Sequence, residues 1–258
     1  MIDEREKPLS EMTPSVAGQM FVVSAGTEKR MRIDPSKSAS VSARVEAGGM
    51  LSIIIAGAIN EDITITRRID LVGKGAKVEL LAACAIAPGV TFRCDDDVRV
   101  SADGTECRID DRCVAQDCSK VIVRQRVVVD EGIVDATIET SVRGMLLGSG
   151  ARIRAIPELH IVSNAVKAKH AVAISRPSRA TTAYFASRGI DPVSARTMIA
   201  DQLLCPIGLP HFDYFRSVPA LREGRGVASE THSYLLAGNV PISTPRELSL
   251  LRAETSLK

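Results

Sequence analysis

The sequence predicts a mainly β chain: a parallel β-helix (β-solenoid) followed by a small α-helical C-terminal region. Three observations carry this. Aromatics make up 3% of the chain and Trp is absent, leaving Val, Ile, Leu and Ala as the apolar content. Such residues suit stacked sheets filled by small aliphatic side chains. Short β-rich runs recur from about Val41 to Ile174, with Gly, Asn or Asp every few residues and no amphipathic helical period. Finally, Leu71-Val-Gly73-Lys-Gly75-Ala76-Lys77-Val78 is echoed 75 residues later by Leu146-Leu-Gly148-Ser-Gly150-Ala151-Arg152-Ile153. That offset suggests about three coils of a solenoid, which would put Gly75 and Gly150 at equivalent corners.

In chain order, residues 1–34 read as a weakly structured lead-in with one apolar stretch, Met20-Phe-Val-Val23. Residues 35–176 are the β-helix core. Its strand candidates include Ile63-Thr-Ile65, Ile69-Asp-Leu71, Val78-Glu-Leu80, Val98-Arg-Val100, Val121-Ile-Val123, Val127-Val-Val129 and Leu159-His-Ile161. The last is Ala165-Val-Lys-Ala-Lys-His170, with His170 at its end. In each Gly-x-Gly turn the glycines relieve backbone strain where the chain bends, and the next β-branched residue restarts a strand.

Residues 177–258 form the helical region. Ser178 is a fair N-cap, and Gly189 after Arg188 sits where a C′ glycine belongs. Asp191-Pro192 starts a second helix as N-cap and N1. Its apolar stripe is Ala195, Met198, Ile199 and Leu203, and Pro206 ends it. Residues 207–242 read as irregular. Thr244-Pro-Arg-Glu247 is a capping box before a short last helix.

Bulk properties narrow the function. The formal charge of +2 gives no strong overall field. The charged start Met1–Pro8 lacks a signal-peptide core, and no apolar run reaches the roughly 18 residues of a membrane span, so a cytoplasmic location is expected. Six cysteines, at 84, 94, 107, 113, 118 and 205, contain no Cys-x-x-Cys pair. They read as free thiols, the clustered five packing as small apolar residues in a narrow core.

Charge is unevenly spread. Eight Lys or Arg against one acid lie between Arg143 and Arg188, and seven acids against two Arg between Cys94 and Asp111. The basic stretch reads as a solvated face. It lacks the aromatic interleaving of a nucleic-acid surface, so nucleic acid is not favoured. Asp95-Asp-Asp97 reads as a solvent-facing turn rather than a ligand set or a glycosidase carboxylate pair. No Walker loop, Gly-x-Gly-x-x-Gly, His-Glu-x-x-His or Gly-x-Ser-x-Gly is present. No catalytic residue is assigned and the chain is not expected to be an enzyme; any ATP hydrolysis would come from another chain.

The order Gly148-Ser-Gly150, Pro157-Glu-Leu159-His-Ile161, Ala165–His170, Tyr184-Phe185-Ala-Ser-Arg188-Gly189-Ile190-Asp191 and Ala195-Arg-Thr-Met-Ile-Ala resembles the core of the SufB/SufD family. These are scaffold subunits of the SUF iron–sulfur cluster assembly machinery. The likeness runs from about Ile69 to Leu204 and is specific from about residue 143. It implies a right-handed β-helix, helices that dock a SufC-like ABC ATPase, and pairing with a SufB/SufD-like paralogue or a second copy.

Under this resemblance His170 is the candidate iron or cluster ligand at the dimer junction, and Tyr184, Phe185, Arg188, Gly189 and Met198 form the ATPase-docking element. No cofactor is expected to be tightly bound, only a transient iron–sulfur cluster at the interface. The chain departs from SufB-type scaffolds. The reactive Cys position falls near Val142, Lys169 and Ala171 stand where glutamates flank the His, and Arg179-Ala-Thr-Thr182 replaces the acidic helix start. The resemblance is therefore to a compact SufD-like member. A β-helical carbohydrate-active enzyme or a structural solenoid is the alternative reading.

Overall fold

Alternation of apolar and polar residues sets the architecture, because a strand with period two presents one face to a core. A computed structural model of the chain describes residues 20–205. The strands are β1 Met20–Val23, β2 Glu28–Ile33, β3 Ala39–Val45, β4 Met50–Ile59, β5 Ile63–Leu71, β6 Lys77–Ile86, β7 Thr91–Val100, β8 Glu106–Ala115, β9 Lys120–Val129, β10 Thr137–Leu146, β11 Arg152–Ile161 and β12 Lys167–Ser175; helices α1 Arg179–Ser187 and α2 Pro192–Leu204 follow.

Odd strands stack in one parallel sheet, in the order β1-β3-β5-β7-β9-β11, and even strands in a second, β12-β10-β8-β6-β4-β2. The chain passes from one sheet to the other at every turn, so each odd–even pair is one coil of a parallel β-helix. The coil lengthens from 22 residues (Met20↔Ser42) to 32 (Lys120↔Arg152).

Inward residues form continuous columns. Leu51, Val78, Cys107 and Ile138 stand in register in one sheet, and Ile65, Cys94, Val123 and Ala155 in the other. Each fully buried Ile, Leu or Val contributes about 1.5–3 kcal/mol. Of the five clustered cysteines expected in the core, Cys84, Cys94, Cys107 and Cys113 are buried, with Cys84 and Cys113 in-register neighbours. Cys118 is instead exposed, in a turn with φ +57°.

Several expectations change at this level. β1 and β2 already pair into the sheets inside residues 1–34, where the sequence suggested a lead-in. The two short runs at Ile63 and Ile69 are one strand, β5, with Arg67 continuing the inward phase between them. The echoed glycines lie on opposite edges of the solenoid. Gly75 stacks between Gly48 and Gly104, whereas Gly150 stacks on Cys118. Coils near that length make 75 residues two and a half turns, not three.

The turn chemistry is nevertheless shared. Gly75 and Gly150 have φ of +71° and +70°, and a Cβ on Gly73 or Gly148 would strike the preceding coil at Ala47 or Asp117. One tight turn therefore serves both edges.

Ser178 caps α1 by accepting from the Thr181 N–H, Asp191 caps α2 by accepting from Val193 and Ser194, and Gly189 takes φ +72°. α2 packs outside the even sheet. Ala200 and Leu204 meet a platform of Ala56, Ala58, Ala83, Ala85 and Val114. The buried stripe is Ala195, Ile199, Ala200 and Leu204; Met198, expected in it, is 39% exposed. The small Ala200 lets the helix sit close on the alanine platform, which rotates Met198 toward solvent. The capping box at 244–247 lies outside the described residues. No helix among those described is long and apolar enough to cross a membrane.

Candidate functional site

Three places on this scaffold concentrate chemistry: the last coil, the helix pair and the lumen. In the last coil, β12 pairs only with β10, so its outer edge is open within the described chain. All nine of its residues are exposed. His170 lies fourth in this strand rather than at its end, because β12 runs on to Ser175. It registers with Thr140, and Ala168, Val172 and Ile174 share its phase. These side chains continue the core columns beyond the last covered rung. Val172 and Ile174 are 45% and 41% exposed. Val142, at the expected thiol position, is buried in register with Val172. Lys169 pairs with Glu139, outside the lumen phase. One imidazole beside aliphatic neighbours cannot hold a metal cluster by itself.

β11 ends the other sheet differently. It carries Pro157, and a sheet tolerates proline at an edge with its N side facing out. This removes a donor from the free edge of β11, whereas β12 keeps all its N–H groups.

The helix pair exposes an aromatic–basic surface. No residue of α1 is fully buried. Tyr184 is 58% exposed, edge-on to Phe185, with the Arg188 guanidinium 5.5 Å above its ring. Gly189 terminates the helix beneath them, and Met198 is exposed on α2. A cleft of about 330 Å³ separates this pair from the corner at Leu146–Ser149, and Arg176 bonds the Gly148 carbonyl at its rim.

The lumen holds residues that sequence reasoning misplaced or missed. Asp95-Asp-Asp97 lies within β7, not in a turn, and Asp96 points inward at 1% exposure. The fully buried Arg67 grips it with Nε at 2.6 Å and Nη2 at 2.7 Å, and reaches Asp111 at 3.0 Å and the Leu81 carbonyl at 3.2 Å. Gln125 donates to Asp111 at 2.6 Å.

Burial works against the Arg67 charge, but the carboxylates outweigh it and hold its pKa well above the ordinary value. Burial pushes Asp111 up to about 7, with Asp96 adding to the rise and Arg67 opposing it. Burial also raises Cys84 and Cys107 to about 12, so neither is a reactive thiolate. Cys94, Asp96 and Asp111 lie close enough to ligate a cation, but the guanidinium already fills that role. The signal was available in the sequence: each of Arg67, Asp96 and Asp111 stands two residues from apolar residues of the inward phase.

A family model described as SUF system FeS cluster assembly, SufBD core domain, matches residues 30–202. An iron-sulfur cluster assembly SufBD family protein of Synechocystis sp. is 28% identical over 90 residues, which is 35% of this chain and 20% of that protein. The chain thus matches about a fifth of the length of this curated relative. The family model spans both the solenoid and the helix pair and covers well over half of the sequence, so the chain belongs to the SufBD core-domain family of the SUF iron–sulfur cluster assembly system.

Proposed function

We propose that the chain is a SufD-like scaffold subunit of a SUF-type iron–sulfur cluster assembly complex. It docks a SufC-like ATPase through α1 and α2 and pairs with a SufB/SufD-like paralogue or a second copy along β12. The carrying observation is the open β12 edge, free of proline and lined by exposed His170, Val172 and Ile174, in a chain whose family match extends through both helices. An unpaired edge offers N–H and C=O groups to a second chain, and pairing would cover the two aliphatic side chains. The cluster is cargo. This subunit supplies an imidazole, and the soft sulfur ligands come from the partner.

His170→Ala removes one exposed side chain, so folding and complex formation should persist. Iron and sulfide bound by the assembled complex after anaerobic reconstitution should fall. Wild-type cluster yield in the variant would remove His170 from the mechanism.

A further inference from the structure

Arg67 is one guanidinium shared by two carboxylates. It holds Asp96 through two nitrogens and Asp111 through one, and all three residues are at most 1% exposed. The other buried basic side chain among the described residues, Arg112, points outward to α2. The lumen therefore carries one carboxylate more than it has cations. An uncompensated carboxylate in a dry interior is driven to take up a proton.

The location of this surplus matters. Strand alternation sends Asp111 inward and its neighbours Asp110 and Arg112 outward. Arg112 holds Asp110 at 2.8 Å and donates to the Leu203 carbonyl, in the last turn of α2, at 3.2 Å. Ser141 is gripped from both sides. Gln125, itself bonded to Asp111, donates to its carbonyl at 3.0 Å, and the Ser141 hydroxyl donates to Asp110 at 2.7 Å. The luminal carboxylate and the seat of α2 are thus adjacent residues of one strand, joined also through Ser141.

We propose that the Asp96–Asp111 pair is a proton-linked latch: with one shared proton the lumen is neutral and residues 110–112 hold α2, and loss of that proton loosens β8 and releases the last turn of α2. The groups facing Asp111 are Arg67 from β5, Cys84 from β6, and Cys94 and Asp96 from β7, with Cys113 on its own strand. β9 and β10 present Gln125, Thr140 and Val142, which do not titrate. Burial raises all three thiols, so they stay neutral while the carboxyl pair changes charge.

The sign follows from the Asp111 value of about 7, above its ordinary 3.8. Between those two values the folded chain keeps a proton that the unfolded chain has lost. Stability conferred by that proton declines as pH rises through the interval and levels off above it.

Hydrogen exchange on the full chain, expressed as protection factors so that intrinsic rates cancel, tests this. From about pH 6 to about pH 8, protection in β8 and the end of α2 should fall by about tenfold, the change for one proton leaving near neutrality. Asp111→Asn should flatten that profile. Protection independent of pH in the wild type, an unchanged fall in the variant, or a fall in β8 without α2 would overturn the latch. If the variant does not fold, carbon-13 spectra of the wild-type aspartate carboxyls decide. A luminal carboxyl titrating near neutrality supports the latch, and all of them titrating below about pH 5 contradicts it.

Discussion

Arg67 shows how much one buried side chain can govern. Arg67→Met keeps the apolar stem but strands two carboxylates in the lumen. Breaking a buried ion pair from one side costs about 3–5 kcal/mol, so urea unfolding should show a loss of that order. The loss should be greater at neutral pH than in acid, because the orphaned carboxylates then need protons from a scarcer supply.

The two glycines of one turn should separate cleanly. Gly75→Ala meets no atom and pays only for positive φ, about 1–2 kcal/mol. Gly73→Ala puts a methyl group into the backbone of Ala47 and should cost clearly more in the same denaturation series. Both glycines were legible as turn residues. Their different reasons were not, since close approach of another coil is a tertiary fact. Asp96 was misread because three consecutive acids look like a solvated turn when the strand's phase is ignored.

At the scale of elements, the β runs and the Gly-x-Gly turns made the solenoid legible, and both helix caps stand where Ser178 and Asp191 placed them. The edge assignment failed because a coil repeat that drifts from 22 to 32 residues cannot be counted from one echo. Met198 was misplaced because α2 seats through Ala200 on small alanines, a choice made by the sheet opposite rather than by the helix's own pattern. The proposed docking role of α1 rests on the exposure of Tyr184, with Arg188 above its ring, on a helix that buries no residue. Tyr184→Ala should leave the unfolding midpoint unchanged, since α1 buries no residue. It should weaken capture of a SufC-like ATPase by about tenfold or more in a titration with the purified partner. A lowered midpoint with undiminished capture would show that the residue packs instead of binding.

For the whole molecule, the two sheets end unequally. β11 loses one edge donor at Pro157, while β12 keeps its donors and leaves the exposed Val172 and Ile174 uncovered. This asymmetry is why the proposed pairing is placed on β12, and the helix pair follows directly after that strand. Under the proposed function, scaffold pairing and ATPase docking would then sit close together in the chain. Native mass spectrometry of the complex recovered through a tag on this chain tests that account most directly. The expected composition is this chain with a SufB/SufD-like subunit or second copy, together with an ATPase. The ATPase should be lost, and the paired scaffold kept, when residues 178–204 are deleted. A chain recovered alone, or an ATPase retained after that deletion, would contradict it.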